Sequence, residues 1–599
     1  MPRVNIENFQ WWLSLVNPSN LKDNQFEVLM NMFYNSDKRL QSRYWVKTFW
    51  NTIDNKPITS YFFFQRDDTW LRTALCTSGT NMYKYDETTW DWNSIKSGLT
   101  EFEADWTTRT RWSFAVYKNV VYMCNGVDCY ASYDWTTYTE LWVSSVWTAT
   151  FDGTTNIVTV TGHWLAENAS IKFTTTGTLP TGITSGQYYY MKYIDANTFY
   201  LSLTPSGTTL DFTWNWTATT TMFKTVQPRI RYIRYMWDRV LWAWDDFTPS
   251  SLYYTASLPT NANTLLTNVL VVWWDELWRI NGLLDVGSVI LAFKNKKIYS
   301  ISVSANTSTP IDSQNWWFCD RAIKNVENWI VYFNDNWIDS LKQRSWVSWS
   351  EWLQSKWLSD DLSSLVWQIT PYSYNYWCGW YNSNIANYYY SFDTESDRTP
   401  DTTLVRSSLT GGWSQYNYPA MYDYGFYIDS DWLYHYLIAS ANGWQMYEIE
   451  TGFTDNGLWI DTELLTKRWD FGDSTIWKIY DTIDIVGLKN EWSEITVELL
   501  VDWEVVSSST IDDTFINLNS VTRTIWSYPI WVYTIGWWSG TWEDIDLYDY
   551  KIRIPAFNGG SNIQIRMYSS DNPNVWTLDK IMINYQQETL DLFPTNNIS

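Results

Sequence analysis

At the corners between its strand-like runs this chain carries tryptophan, the largest side chain, where a tight turn calls for glycine. YDWTT (Tyr133–Thr137) lies between YMCNGVDCYAS and YTELW. A corner that short calls for Asp-Gly, because the backbone must pass through positive φ. LVDWEVVSSS (Leu500–Ser509) puts Asp502-Trp503 in the same setting, SDWLYHYL (Ser430–Leu437) puts Asp431-Trp432 there, and YFNDNWIDSL (Tyr332–Leu341) puts Asn336-Trp337 there. Adjacent tryptophans recur in FQWWLSLVNPSN, VVWWDELWRI and TIGWWSGTW. A bulky residue held at positive φ costs about 1–3 kcal/mol. Roughly a few tens of such corners would exceed the whole net stability of a folded chain, about 5–15 kcal/mol.

Composition states the same conflict. The chain has 46 Trp and only 24 Gly in 599 residues, so glycine is about 4% where about 7% is usual. Strand-rich chains need glycine for their reversals. Excess and deficit are one fact if most of these letters are glycines, encoded by UGA in a source that reads it as glycine and translated here as tryptophan. Trp92, Trp477 and Trp576 fall in strand-like or aromatic-tolerant contexts and read as genuine. The competing reading is a truly Trp-rich protein whose aromatics stack on sugars. Sugar platforms gather a few aromatics on one face; they do not follow Asp and Asn at turns.

The chain as a whole reads as all-β. Short apolar-alternating runs are punctuated by Asn, Asp, Gly, Thr and the suspect Trp. Only Leu21–Met32 and Glu351–Leu358 suggest a turn or two of helix. From Pro57 a loose repeat appears: TSYFFFQ with LRTALCTSGTNMYKYD, then SFAVYKNVVYMCNGVDCYASYD, IRYMWDRVLWAWDDFTPSSLYYTAS, VGSVILAFKNKKIYSISVS, VENWIVYFNDNWIDSL, NYYYSFDTESD and LYHYLIASANGWQMYEIET. Six or seven such units imply propeller blades, with a set of sandwiches as the alternative. The expected order is N-terminal entry strands over 1–56, a first propeller part over 57–146, an inserted small β domain over 147–224, a second propeller part over 225–460, a C-terminal β-sandwich over 461–587 and a tail over 588–599. The insert is Thr-rich with strands of its own, and insertions are tolerated at surface loops. The sandwich follows from the alternation of EITVELLVDWEVV, YDYKIRIPAFNGGSNIQIRMYSSD and VWTLDKIMINYQQE.

Little chemistry is legible. A formal net charge of -24 repels phosphate backbones and argues against nucleic-acid binding by the surface at large. Five cysteines without a CxxC pair read as unpaired thiols. The two histidines, His163 and His435, stand far apart in sequence, which argues against a His-based metal site or triad. No secretory leader and no run of 18 apolar residues is present, so a soluble, non-exported chain is expected. No GxGxxG, Walker loop, HExxH or GxSxG stands in a fitting context. The acid pairs Asp245-Asp246, Asp360-Asp361 and Asp512-Asp513 read as solvated loop acids, because a glycosidase needs carboxylates converging across a cleft. Asn334, Asp335 and Asn336 read as turn chemistry rather than calcium ligands, and KNKK (Lys294–Lys297) as a solvated hairpin tip. No catalytic, cofactor-binding or metal-ligating residue is assigned; no enzyme activity and no cofactor is expected.

Read with glycine at the suspect letters, several segments resemble structural proteins of tailed bacteriophages. Phe9, Trp11, Trp12 and Leu13 match a Phe-x-Gly-Gly-Leu entry; Leu21, Asp23, Asn24 and Gln25 match a Leu-x-Asp-Asn-Gln stretch; Arg43 and Trp45 match an Arg-x-Gly turn. Trp237, Asp238 and Arg239, followed by Tyr253 and Tyr254, resemble that family's Gly-Asp-Arg-Leu blade with its Ser-x-x-Tyr-Tyr-Ser-like strand. The insert, VTGHWLAENASIKF through NTFYLSLTPSGTTLDFTWNW, resembles a β module of phage tail and adhesion proteins, with Trp164, Trp214 and Trp216 at its glycine positions. The closing strands, IQIRMYSSDNPNVWTLDKIMINYQQE, resemble the family's sandwich. The resemblance implies a virion structural protein of nozzle or head–tail connector type, assembled in the host cytoplasm as a homo-oligomeric ring around the DNA channel. Its partners would be other tail and connector proteins, with a host-surface glycan as a further one, and neither a membrane nor a specific nucleic acid. The alternative is a glycan-binding or glycan-cleaving tail protein. Sequencing the source gene is expected to find UGA at Trp135, Trp164, Trp337 and Trp503; UGG at these positions overturns the glycine reading.

Overall fold

The structure is a computed structural model. It describes residues 3–587 apart from 8–12, 15–20, 22–24, 35–38, 45, 50–52, 55, 90, 102–110, 129, 142, 164–166, 176, 186, 205–206, 214–219, 227–229, 237, 246–247, 260–267, 273–278, 287–288, 295–296, 313–319, 327–328, 334–337, 344–351, 358–361, 363–376, 384, 396–398, 442–444, 451–459, 472–474, 492, 513, 515–522, 527–543 and 570–574. The described chain is all-β, its strands interrupted by one 3-10 turn at Asp320–Ala322. Among the described residues no helix is long and apolar enough to cross a membrane. Two compact units result, one of residues 1–106, 294–298 and 310–599, the other of 107–293 and 299–309.

The first unit is built from antiparallel meanders of four strands. Ile58–Gln65, Arg72–Ser78, Asn81–Asp86 and Asp91–Lys96 form one, and Lys324–Val326, Trp329–Phe333, Ile338–Gln343 and Trp352–Trp357 another. Met421–Ile428, Tyr434–Ser440 and Met446–Ile449 are completed to four by Val46–Thr48, with Ile449 opposite Val46. Cys378–Asn382, Asn387–Phe392, Thr402–Ser407 and Trp413–Tyr416 form a fourth meander. It continues through Phe26–Met30 and Thr462–Thr466 into Ile563–Ser569, Ile495–Val501 and Glu504–Ile511 as one nine-stranded sheet.

That sheet shares a core with a seven-stranded one made of Arg3–Glu7, Met32–Tyr34, Leu40–Ser42, Trp576–Gln587, Lys478–Lys489, Asp544–Gly560 and Arg523–Trp526. The alternation in ITVELLV explains why: Ile495, Val497, Leu499 and Val501 are buried and the residues between them are half-buried. They pack with Ile483, Ile485, Ile563, Ile565 and Trp576. The indole of Trp576 is fully buried and its N–H donates to Thr462 Oγ1 at 3.0 Å.

Strands of the stretch 1–56 are laced into sheets made largely of C-terminal strands. Arg3 lies opposite Asn584, Phe26 opposite Thr466 and Val46 opposite Ile449. Two buried side chains fasten it. Asn31 Oδ1 accepts from Arg43 Nε at 2.9 Å and from the Asn417 amide at 2.7 Å, while Asn31 Nδ2 donates to the Asp461 carbonyl at 2.6 Å. The Arg43 guanidinium donates to the Asn417 carbonyl at 3.2 Å and lies 4.6 Å from the Tyr418 ring centroid. Both helix expectations are corrected here: Phe26–Met30 and Trp352–Trp357 are strands. Their short apolar runs fit either period, and ladder partners at Thr462–Thr466 and Ile338–Gln343 decide for the sheet.

The second unit holds the meanders Ser113–Tyr117, Val120–Cys124, Ala131–Tyr133, Tyr138–Glu140 and Tyr232–Met236, Arg239–Asp245, Thr248–Tyr254, Asn268–Val271. Most of a third, Ile280–Val286, Val289–Lys294, Lys297–Ser302 and Thr307–Asp312, lies here too. Between the first two runs a closed six-stranded barrel, from Val143–Asp152 to Thr220–Val226, occupies the stretch read as an insert. Its first and last strands pair from Val143↔Val226 to Ala149↔Thr220, so both of its ends emerge side by side. Phe151, Phe173, Tyr189, Met191, Phe199 and Met222 give it a core of its own.

Three of the corners singled out in the sequence lie among the described residues, and each has the backbone that glycine favours. Trp135 has φ 87, Trp432 φ 66 and Trp503 φ 80. Asp502 (φ 46) and Trp503 form a two-residue hairpin between the paired Val501 and Glu504, both in the left-handed region. Trp11, Trp12, Trp45, Trp164, Trp214, Trp216, Trp237 and Trp337 lie outside the described residues. One true glycine shows the packing use of a missing side chain. Gly425 lies under the Tyr61 ring, where a Cβ would overlap the ring carbons, and Tyr61 O–H donates to the Phe426 carbonyl at 3.0 Å. Gly425→Ala is expected to lower the unfolding free energy by about 1–3 kcal/mol, read as a reduced urea midpoint; an unchanged midpoint contradicts this packing.

Candidate functional surfaces

Of the acid pairs of the sequence, only Asp245 and Asp512 lie among the described residues. Asp245 closes the strand Arg239–Asp245 opposite Thr248, and Asp246 lies outside the described residues. Asp512 Oδ1 accepts from the Thr514 amide at 2.9 Å and its hydroxyl at 2.5 Å, which is turn chemistry. Asp360, Asp361, Asp513 and Asn334, Asp335, Asn336 lie outside the described residues. Among the described residues no group of three His, Cys, Asp or Glu is placed to hold a metal ion. Cys76, Cys124 and Cys378 are buried, and none of the three is in a disulfide. One expectation is overturned: Lys294 is fully buried at the end of its strand rather than solvated at a hairpin tip.

The two histidines differ in kind. His163 is buried in the barrel unit, edge-on to Tyr193 and Phe199, and burial pushes its pKa down. His435, on the strand Tyr434–Ser440, stands between two carboxylates. Its Nδ1 lies 2.7 Å from Glu448 Oε1 and its Nε2 3.1 Å from Asp429 Oδ2. Asp429 Oδ1 also accepts from the amides of Asp431 and Leu433, both at 2.9 Å, so one side chain shapes the Trp432 corner and orients the imidazole. Phe49 covers the ring at a centroid distance of 4.6 Å. Burial opposes a charge on His435, yet the hydrogen bonds to Asp429 and Glu448 outweigh it and raise the pKa to about 9. With a carboxylate on each nitrogen the ring is a charged strut rather than a general base poised on a nucleophile. Sequence reasoning passed over it because it weighed the histidines against each other and not against neighbouring acids.

An exposed aromatic cluster lies on two adjacent meanders of the first unit. Trp70 is 61% exposed and Trp432 50%, their ring centroids are 5.8 Å apart, and the Arg72 guanidinium sits 3.8 Å over Trp432. Tyr434 (55% exposed) and Phe426 extend it, 6.0 Å ring to ring. This is the kind of surface the sugar-stacking alternative requires. The genuine-looking tryptophans sit otherwise: Trp92 is buried 5.4 Å from the Tyr85 ring, and the half-exposed Trp477 lies on Gly559, which leaves no room for a Cβ there.

No protein-family model matches the chain, and no curated protein matches it. Among solved structures it is similar to YCF48 bound to a D1 peptide, at 8% identity over 68% of this chain and 95% of that one, with a TM-score of 0.35. A chain of the mitotic checkpoint complex is similar at 7% identity over 66% and 92%, TM-score 0.31. Kluyveromyces lactis Hsv2 is similar at 9% identity over 60% and 97%, TM-score 0.27. The all-β assignment rests on the strands themselves.

A pH dependence follows from His435. Its folded pKa lies above the ordinary 6.5, so its stabilising effect is complete below about 6.5 and is lost as pH rises through about 9. The thermal midpoint is expected to fall across that window, and the fall to shrink in His435→Gln; parallel profiles for the two proteins contradict the strut.

Proposed function

We propose that this chain is a virion structural protein of a tailed bacteriophage, a nozzle-like or connector-like tail component, and that its gene uses UGA for glycine. The four-stranded meanders serve as blades of a β-propeller scaffold, the barrel is an accessory module, and the C-terminal sandwich docks to other tail proteins. The scaffold is non-enzymatic and oligomeric, with copies ringed around the DNA channel. The observation that carries this reading is the backbone at Trp135, Trp432 and Trp503, which sits at φ 87, 66 and 80. Glycine takes those angles without strain and tryptophan does not. Once such letters are glycines, the phage-like patterns at the N-terminus, in the insert and in the closing strands come into register. A net charge of -24 suits a conduit that must not hold DNA.

A second reading, a glycan-binding tail protein, is favoured by the exposed cluster of Trp70, Trp432, Tyr434 and Phe426. Mass spectrometry of purified virions separates the two. The structural reading expects the protein in many copies, with glycine masses at 135, 432 and 503; its absence from virions overturns the assignment. Tryptophan masses at those positions, with glycan-array binding abolished by Trp432→Ala, establish the second reading instead.

A further inference from the structure

Several corners of this chain share one four-residue design. Asp152 and Ile157 are register partners, and the residue that closes the corner between them, Asn156, has φ 60. Asn382 and Asn387 are partners, and Ala386 has φ 54. In the corner Ser408–Gly411, the Ser407 amide donates to the Gly412 carbonyl at 2.9 Å, the Gly411 amide donates to the Ser407 carbonyl at 2.8 Å, and Gly411 has φ 75. The corner Asp67–Trp70 repeats those two bonds: Arg66 amide to Leu71 carbonyl at 2.9 Å, Trp70 amide to Arg66 carbonyl at 3.1 Å, with Trp70 at φ 57. The fourth residue is left-handed in each. Glycine and asparagine are the residues that region admits most readily. At 61% exposure the Trp70 indole gains little burial to offset its strain.

The letters repeat too, Ser-Leu-Thr-Gly at 408–411 and Asp-Asp-Thr-Trp at 67–70, with Glu-Thr-Thr-Trp at 87–90 between the paired Asp86 and Asp91. We infer that residue 70 is glycine in the native protein. Trp70 was not marked by the sequence because it follows threonine rather than Asp or Asn. This inference rests on the glycine reading above and extends it from Asx corners to a second corner type. It also changes the surface. Without indoles at 70 and 432, the aromatic cluster on the two meanders shrinks to Tyr434 and Phe426, beside two tight turns that present main chain. The Trp70–Trp432 pair is then no sugar platform.

Peptide masses of the protein from its native source test this directly. Glycine at 70, with tryptophan retained at 92 and 576, is the expected result. Tryptophan at 70 with glycine at 135, 432 and 503 overturns this inference and leaves the broader reading standing; tryptophan at all four overturns both. A recombinant chain made with the printed letters gives a second measure. Trp70→Gly and Trp70→Asn are expected to raise the thermal midpoint, while Trp70→Val is not. Equal midpoints for all of them show that the corner does not select its residue, and overturn the inference.

Discussion

A strand-only chain reverses direction dozens of times, and each short reversal forces a residue into backbone space that most side chains resist. That constraint governs this molecule more than any single contact. Strand alternation places apolar residues on shared cores, but many of the meander corners must also close in two to four residues. The corner at Asp502-Trp503 and the one at Asp429–Leu433 show how narrow the choice is. In each a carboxylate receives main-chain amides, Asp502 from Ser561 and Asn562 and Asp429 from Asp431 and Leu433, and the residue that completes the bend is left-handed.

The local part of the fold was legible in the sequence, because it depends on patterns a few residues long. Alternation in EITVELLV translates directly into a paired strand with one face buried, and the apolar runs of SFAVYKNVVYMC into a hairpin buried on both faces. Post-Asp and post-Asn corners could be marked for the same reason. Distant pairings could not. Nothing in RVNIE states that it belongs beside KIMIN, and the strand partners of Phe26–Met30 lie some four hundred residues further on. Lys294 read as solvated because a basic tetrapeptide ordinarily is, and only the packing of its sheet buries it.

The same distinction applies to the candidate surfaces. His435 and its two carboxylates occupy one hairpin and the strand beside it, so the signal was present in DSDWLYHYL and YEIE, in the spacing of acids around a histidine on alternating strands. The exposed aromatic cluster, by contrast, depends on which letters are true. Where tryptophan is buried with its N–H bonded, as at Trp576, the structure uses the indole. Where it caps a bend, as at Trp432, the ring lies half exposed against Trp70 and Arg72.

The N-terminal strands carry a temporal consequence. Arg3–Glu7 pairs with Trp576–Gln587, and Val46–Thr48 closes a sheet with Met446–Ile449. A nascent chain leaving the ribosome therefore holds Arg3–Glu7 without its partner until Trp576–Gln587 has been made. High contact order of this kind slows folding, and unpaired edges recruit neighbours while they wait. Where many copies are made at once, the schedule of synthesis becomes a hazard in its own right, and a holdase or a tethered neighbour that shields the first fifty residues would set the yield of correctly closed molecules.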